Sequence, residues 1–390
     1  MDRDVSPPPS KRRKPSPSIP DTETMNLAKH LSSRSTTDNI RIFAWNINGI
    51  SPFVQSAKPI TSFFPRTSVS TAPPKRSNGT QAPRVPSIIP TASLRAFLRR
   101  HNWPHALLLQ EVKISPKDER TKRAVQAAIN ASADEDGGPS YTAHFTLPRD
   151  PHNAKGFGGK LYGVASLLRD DFCRHRGVRV RDVDWDLEGR LHVIETKDQL
   201  AIFNIYAVNG TDSAYRSPET GAVVGTRHDR KLAFHALLLE ECRRMELEGW
   251  RVVLAGDFNV ARARIDGWPN LREWPRQHCV NRADFNAKFF EDEVGLRAVD
   301  VWRELKGDEK AYTYYPRGVA WGSSCDRVDY AIVSRKLVEE GGLVDTGILN
   351  SPAERGPSDH VPLWVEVRVP REEDDRENRS GANREYESTR

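Results

Sequence analysis

Short apolar runs alternate with polar segments along most of the chain, a pattern typical of a β-rich core. Several runs are continuous enough to predict strands that are buried on both faces. The runs with a strand pattern are Ile40–Trp45, His105–Gln110, Gly163–Leu168, Leu200–Val208, Val252–Asp257, Val328–Val333 and Val361–Val369.

Helical periodicity is confined to fewer segments. In Leu94–Arg100 the apolar side chains fall on one helical face, and Leu232–Leu247 repeats the pattern over a longer stretch. Many strands with few helices exclude a purely doubly wound sheet and a helical bundle. The pattern predicts an α+β fold of two stacked sheets flanked by helices.

Three polar segments interrupt or flank this pattern. Residues 1–38 are rich in Pro, Ser and charge, and residues 370–390 form a mixed-charge tail, so both are predicted to be disordered. Residues 55–93 are dominated by Pro, Ser and Thr, are basic and contain no acidic residue. They are predicted to be a disordered insertion within one domain, residues 39–369, because the strands on either side must share a core.

Composition excludes several classes of protein. No apolar run approaches the ~20 residues of a membrane span, and the first residues lack the apolar stretch of a secretory signal. The four cysteines have no metal-site or disulfide spacing. We therefore expect a soluble intracellular protein, without zinc or membrane contact, and predict a monomer.

The charge gives a weaker indication. A net charge of +6 favours approach to a polyanion, although an excess this small does not identify nucleic acid. The basic cluster Lys11–Lys14 predicts nuclear import, but such clusters also arise by chance in solvated tails.

Polar residues gather where several predicted strands end. Any one such cluster is ordinarily turn chemistry, but their joint occurrence points to a shared site. The segments are Asn46–Gly49, Gln110–Glu111, Tyr206 with Asn209, Gly256–Asn259, Asp326–Tyr330 and Ser358–His360.

These residue types suit phosphodiester hydrolysis. Carboxylates such as Glu111 and Asp359 can hold a hard cation that neutralises a dianionic transition state, and few protein ligands are what Mg²⁺ prefers. Asp257 is the candidate base for the attacking water, with Asn259 beside it. His360 can donate to a phosphate oxygen, and Asp329 can fix its tautomer.

The ordered motifs WNINGI, LLLQEVK, EGR, YAVN, GDFNVA, AYTYY, DRVDY and SDHVP resemble those of the endonuclease/exonuclease/phosphatase superfamily. Their order and spacing are similar to its exonuclease III branch, which includes apurinic/apyrimidinic endonucleases. The resemblance covers about Ile40 to Val369, apart from the insertion. It implies a four-layer α/β/β/α sandwich like that of deoxyribonuclease I, with two mixed sheets flanked by helices.

The resemblance also implies roles for the polar residues, with Mg²⁺ as cofactor and Mn²⁺ as a substitute. They fall into a metal group, a phosphate-binding group, a water-activating pair and a phosphate-polarising pair. The metal group is Asn48, Glu111 and Asp359, and the phosphate-binding group is Asn46, Tyr206 and Asn209, of which Tyr206 is catalytic. The water-activating pair is Asp257 and Asn259, and the phosphate-polarising pair is Asp329 and His360.

Departures from the family pattern concern the sugar pocket. Asp326 stands where abasic-site enzymes often carry Trp, and Cys325 precedes it. Tyr314 takes the place of another pocket aromatic. Trp321 either replaces the missing indole or packs in a loop. Asn48 replaces an Asp of some members, whereas others have Asn there.

Three functions are compatible with these residues. The first is a DNA-repair phosphodiesterase that cleaves duplex DNA at abasic sites or removes 3′-blocking groups or nucleotides. The second is another phosphodiesterase of the superfamily, such as a general nuclease or a lipid or inositol phosphatase. The third is a non-catalytic nucleic-acid-binding protein, which would not need the full set of acids and His360. Residues 55–93 are predicted either to contact the phosphate backbone or to be a solvated spacer.

Overall fold

A computed structural model describes residues 39–54, 92–131, 136–154, 162–291 and 293–369. The predicted disordered tails, the Lys11–Lys14 cluster and nearly all of the 55–93 insertion lie outside these residues, so the predictions about them stay predictions. Ser93, at the edge of the insertion, accepts a hydrogen bond from the Ala96 amide and caps a helix.

The strands of the described chain confirm the predicted runs and add shorter ones. They are β1 (Asn39–Asn46), β2 (Ala106–Gln110), β3 (Tyr141–Thr146), β4 (Val164–Arg169), β5 (Arg179–Asp182), β6 (Leu191–Glu195), β7 (Leu200–Tyr206), β8 (Ala214–Arg216), β9 (Val223–Thr226), β10 (Arg251–Asp257), β11 (Gly267–Trp268), β12 (Val299–Asp300), β13 (Cys325–Asp326), β14 (Asp329–Val333), β15 (Leu343–Ile348) and β16 (Leu363–Arg368).

The α-helices of the same residues are mostly short. They are α1 (Ser51–Val54), α2 (Leu94–Arg100), α3 (Glu119–Ile129), α4 (Asp170–Arg176), α5 (Arg227–Leu247), α6 (Gln277–Asn286), α7 (Val301–Lys306), α8 (Arg335–Glu339) and α9 (Pro352–Arg355), with a 3₁₀ turn at Arg264–Asp266 and a π-helical turn at Ala287–Glu291. None of the helices within the described ranges is long and apolar enough to cross a bilayer.

Two mixed six-stranded sheets form the centre of the fold. Their strand orders are β15-β16-β1-β2-β4-β3 and β12-β14-β10-β7-β6-β5. In the first sheet β1 is parallel to β2 and antiparallel to β16, and in the second β10 is parallel to β7 and antiparallel to β14. Two ribbons, β11-β13 and β8-β9, stand apart from the sheets.

Three apolar layers separate four structural layers. Alternate residues of β1 show how: Ile42 and Ala44 join a core between the two sheets, whereas Phe43 and Trp45 pack outward against α2 and α3. On the other side, Phe234 and other side chains of α5 pack against the second sheet. The predicted α/β/β/α sandwich is confirmed, because β1 and its neighbours are buried on both faces.

The long helix α5 begins earlier than its apolar pattern predicts. The pattern indicates a start at Leu232, but the helix begins at Arg227. Thr226 caps it: the Thr226 hydroxyl accepts from the Asp229 amide, and the Asp229 carboxylate accepts from the Thr226 amide. The first turn is polar: Arg227 and Arg230 donate to Glu188 and lie over the ring of Tyr215 on β8, so apolar periodicity alone misses it.

A polar chain crosses the core between the sheets. His192, which is buried, lies 2.6 Å from the Ser166 hydroxyl through Nε2 and 2.9 Å from the Thr146 hydroxyl through Nδ1. Asn204 donates to Ser166 at 3.0 Å, and Thr146 donates to Asp182. A neutral imidazole with its proton on Nδ1 satisfies every one of these groups.

Burial lowers the pKa of His192 to about 3. An unfolded histidine, with a pKa near 6.5, takes up a proton on acidification whereas native His192 does not. This residue should therefore lower the free energy of unfolding by about 1.4 kcal/mol between pH 7.5 and 5.5. Urea denaturation of wild type and His192→Asn at both pH values measures this change. The variant should be less stable than wild type at pH 7.5, but its free energy of unfolding should depend less on pH. Equal pH slopes would contradict the prediction.

Candidate active site

The sheet topology explains why polar residues distant in sequence meet. Parallel neighbours β1 and β2 end together at Asn46 and Gln110, and parallel neighbours β7 and β10 end together at Tyr206 and Asp257. Strand β14 runs the other way and begins at Asp329, which pairs with Asp257 across the ladder. One edge of the sandwich thus collects the predicted residues of both sheets.

At the centre of this edge lie two carboxylates and an imidazole. Asp257, Asp329 and His360 are buried, and their ligand atoms lie within 4.8 Å of one another, so this group of the described residues could hold a metal ion. His360 Nδ1 is 2.7 Å from Asp329 Oδ2. The predicted pairing of Asp329 with His360 is present.

This proximity contributes to raised pKa values at both Asp257 and His360. Burial, reinforced by the charge of Asp329, raises the pKa of Asp257 to about 7. Burial alone would lower the pKa of His360, but the Asp329 carboxylate beside it outweighs burial and raises that pKa to about 10. Near neutral pH, His360 is therefore an imidazolium paired with Asp329, and Asp257 is poised between its two forms.

Asp257 is held by two donors. Asn46 Nδ2 donates to Asp257 Oδ2 at 2.9 Å, and the Asn259 amide donates to Asp257 Oδ1 at 2.8 Å. Asn259 has a left-handed backbone, φ 52°, and its side chain donates to the Ala207 carbonyl. The turn is supported from below by Lys231, which is buried and donates to the carbonyls of Val208, Phe258 and Asn259.

The three residues predicted as metal ligands form a second group of oxygens. Asn48 Nδ2 donates to Asp359 Oδ1 at 2.9 Å, and Lys113 Nζ lies 2.9 Å from Glu111 Oε1 and contacts Asn48 Oδ1. Asn48 and Glu111 both have positive φ, 50° and 57°, an unfavourable backbone state for residues other than glycine. Contacts through Lys113, Asn48 and Asp359 thus link Glu111 to His360, and the surface that these residues share is called the cleft.

His360 is positioned by its neighbours in sequence and in space. The Ser358 hydroxyl accepts from the His360 amide at 3.0 Å and donates to the Asn46 carbonyl at 2.5 Å. Trp45 Nε1 donates to the His360 carbonyl at 3.0 Å. The ring of Tyr314 lies 5.1 Å from the imidazole, centroid to centroid. The role of Ser358 is missed by sequence reasoning because a serine before an acid is too common to single out.

The two remaining predicted residues lie at the end of β7. Tyr206 is buried, and the guanidinium of Arg190 is 5.0 Å from its ring centroid. Burial, and next the charge of Glu111, raises the pKa of Tyr206 well above its usual value, so the phenol stays protonated and can donate a hydrogen bond. Asn209 is exposed on the loop that follows. Arg190 is itself paired with the buried Glu188 at 2.8 Å.

Arg327 of the DRVDY motif has a structural task. Its side chain is buried and donates to Asp266 at 2.8 Å and to both oxygens of Asp300, at 2.9 and 2.7 Å. These bonds fix the segment that carries Asp329. Asp326, one residue earlier, pairs through its backbone with Tyr314, and its pKa is raised by burial although Arg272 opposes the shift. The position at which abasic-site enzymes often carry Trp is therefore occupied here by a polar side chain.

The acid–imidazole–acid cluster at one edge of this double-sheet sandwich suits phosphoester hydrolysis. The sequence model of the Endonuclease/Exonuclease/phosphatase family matches residues 43–360. The chain belongs to that family.

Individual relatives are more distant. The chain is 25% identical over 226 residues to exodeoxyribonuclease III of Haemophilus influenzae, a match that covers 56% of this chain and 79% of the relative. Among solved structures, an AP endonuclease from Archaeoglobus fulgidus aligns with TM-score 0.51 and 18% identity over 84% of this chain and 98% of that one. The APE2 catalytic domain of Xenopus laevis aligns with TM-score 0.52 and 20% identity over 84% and 92%. The structural likenesses support the fold.

Proposed function

We propose that this protein is a metal-dependent phosphodiesterase of DNA repair that cleaves duplex DNA at abasic sites or removes 3′-blocking groups or nucleotides. The observation that carries the proposal is the joint burial of Asp257, Asp329 and His360 at one edge of the sandwich. The exodeoxyribonuclease III relative supports DNA as the substrate. So does a Neisseria 3′ phosphatase bound to product DNA, which aligns with TM-score 0.50 and 20% identity over 84% of this chain and 99% of that one.

In this proposal the water's proton goes to Asp257. Asn46 and the Asn259 amide hold both carboxylate oxygens, which fixes the direction from which the carboxylate reaches the water. His360, charged through Asp329, donates a hydrogen bond to a nonbridging phosphate oxygen as negative charge develops there. The new oxygen–phosphorus bond replaces the bond to the 3′-oxygen, which takes a proton from solvent water and leaves as a 3′-hydroxyl.

Glu111, Asn48 and Asp359 fit a hard divalent cation, for which we propose Mg²⁺, with Mn²⁺ as a substitute. All three offer oxygen atoms, and the Lys113 ammonium already lies against Glu111 and Asn48, so this group attracts positive charge. The Asp257, Asp329 and His360 group could also hold a cation, in competition with the proton that pairs His360 with Asp329. When bound, the ion would neutralise charge on the phosphate and acidify water.

An incision assay tests the proposal. Labelled duplexes carry one abasic-site analogue, a blocked 3′ end or neither, and are incubated with Mg²⁺ or with a chelator. Metal-dependent incision at the abasic site or release of the 3′ block is expected. Cleavage of all duplexes alike would indicate a general nuclease, and turnover of inositol or lipid phosphoesters alone would refute DNA repair. The polar environment of Asp326 supports including the 3′-blocked substrate, because an abasic sugar would gain little from a carboxylate.

Replacing Glu111 with Gln should raise the Mg²⁺ concentration for half-maximal activity by about 10- to 100-fold. The amide keeps the shape of the side chain but removes the charge that attracts the ion. Mg²⁺ titration of initial rates measures the change. Glu119→Gln, on the exposed start of α3, is the matched control and should leave the titration as in wild type. An unchanged midpoint in Glu111→Gln would exclude Glu111 as a ligand.

A further inference from the structure

An aromatic pocket lies on the reverse face of the segment that carries Tyr314. The cavity measures about 440 Å³ and is lined chiefly by Trp268, Lys310, Tyr312, Tyr315, Trp321 and Cys325. This volume is in the range of small-molecule sites. None of the residues assigned to hydrolysis above lines it.

The local strands place this pocket and the cleft back to back. Tyr314 faces the His360 ring, whereas Tyr315, the next residue, joins Cys325 and Val361 in a small apolar cluster at the pocket floor. The Tyr315 amide donates to the Asp359 carbonyl at 2.7 Å. Strand pairing then sets Trp268 opposite Cys325. The bond from Tyr315 to Asp359 therefore joins the pocket directly to the segment that carries His360.

The lining residues have the chemistry of a stacking site. Trp268 and Trp321 are large apolar side chains, yet 46% and 38% of their surfaces are exposed. The rings of Trp321 and Tyr315 are parallel, with centroids 3.8 Å apart, which makes a rigid two-ring wall. Lys310 lies 5.7 Å from the Trp268 centroid, at the exposed rim, and the Arg355 guanidinium lies 5.2 Å from the Trp321 centroid.

Charge favours an anionic ligand with planar rings. None of the described residues that line the pocket is a carboxylate, and Lys310 places a positive charge there. Aromatic side chains beside a cation bind unpaired bases of single strands, whose ring faces are free, rather than the stacked bases of a duplex.

We propose that this pocket binds one or two unpaired nucleobases of a single-stranded segment that adjoins the duplex in the active site. The inference rests on the proposed function, since it names a further feature of the same substrate. The enzyme would then prefer DNA ends or gaps that carry a single-stranded extension over fully paired DNA.

Equilibrium binding in the presence of a chelator tests the pocket without turnover. The probes are a fluorescent blunt duplex and the same duplex with a ten-thymidine extension on its 3′ or its 5′ end. Wild type should bind one of the extended duplexes about tenfold more tightly than the blunt duplex. Trp268→Ala and Trp321→Ala should abolish this preference and leave affinity for the blunt duplex unchanged. Trp321→Phe, which keeps a ring against Tyr315, should retain most of it.

The outcomes separate the pocket from the catalytic proposal. No preference for either extension in wild type, or an undiminished preference in both alanine variants, overturns the pocket. If a variant with wild-type circular dichroism loses affinity equally for blunt and extended duplexes, that result also overturns the proposal, because the pocket would then bind the paired part of the DNA. Failure of wild type to incise any duplex with Mg²⁺ would instead refute the proposed function, and that assay does not involve the extension.

Discussion

Replacing Asp257 with Asn should lower kcat for phosphodiester cleavage by a factor of about 10² to 10⁴, with little change in KM. The substitution keeps the size of the side chain but removes the group that takes the proton from water. An amide also cannot accept from both Asn46 and the Asn259 amide, as the carboxylate does. Initial rates on the substrate that wild type incises measure the change. Asp345→Asn, a carboxylate on β15 remote from the cleft, is the matched control.

The same substitution should not unfold the protein. Because the pKa of Asp257 is raised by burial and by Asp329, the native state loses stability as pH rises from the unfolded pKa near 4 through about 7. Asp257→Asn removes this loss, so its thermal midpoint should depend less on pH between 5 and 8 than that of wild type. If the thermal midpoint of Asp257→Asn falls below that of wild type at both pH 5 and pH 8, the lost activity would be due to misfolding. If Asp257→Asn keeps the wild-type kcat, Asp257 is not the base.

The raised pKa also predicts the acid limb of the wild-type pH profile. A base must be unprotonated, so kcat should rise with pH through about 7. A solvated aspartate would give a limb near 4 instead. Burying Asp257 beside Asp329 thus lowers the free energy of unfolding at neutral pH, but it brings the pKa of the base close to neutral.

The sequence predicts the sheets well because their strands are buried on both faces. Runs such as Val252–Asp257 are short and continuously apolar, which distinguishes them from the mixed polar and apolar pattern of a surface helix. The matching strand β10 is central in its sheet. Strand β6, Leu191–Glu195, was missed because His192 breaks its apolar pattern. That histidine is buried only because Ser166 and Thr146, on other strands, bond to it.

The catalytic residues could be predicted where their residue type indicates the chemistry. Residues whose roles depend on contacts made in the folded protein could not be predicted. Asp257, Asp329 and His360 stand out because acids and histidines rarely follow buried strands without a task. Lys113 and Lys231 look like ordinary surface lysines in the sequence, yet one lies against Glu111 and the other is buried under the Asn259 turn. Their roles depend on which backbone carbonyls and carboxylates the fold brings beside them.

The aromatic pocket was not predictable for a similar reason. Trp268 and Trp321 are far apart in sequence, and the β11-β13 ribbon brings the first beside Cys325. Sequence reasoning left open whether Trp321 replaces the missing indole of the sugar pocket or packs in a loop. Its stacking on Tyr315, on the face away from Tyr314 and His360, argues against the replacement.

Removing either member of the Asp329–His360 pair should lower kcat by a factor of about 10² to 10³. His360→Ala removes the donor to the phosphate oxygen. Asp329→Asn keeps the imidazole but removes the charge that holds its pKa near 10, so burial should lower that pKa. Wild type should therefore stay active up to about pH 9, whereas Asp329→Asn should lose its remaining activity at lower pH. Rates measured from pH 6 to 9.5 report the shift of this alkaline limb.

The double variant tests whether Asp329 acts through His360. If it does, Asp329→Asn should cost little in a His360→Ala background, since no imidazole remains to be charged. Both single variants should also keep the wild-type Mg²⁺ midpoint, because the pair is not assigned to the cation. Additive losses would mean that Asp329 also acts independently of His360, and a midpoint raised tenfold in either variant would mean that the pair helps to hold the ion. The metal would then belong to the Asp257, Asp329 and His360 group, whose ligand atoms also lie close enough to hold it.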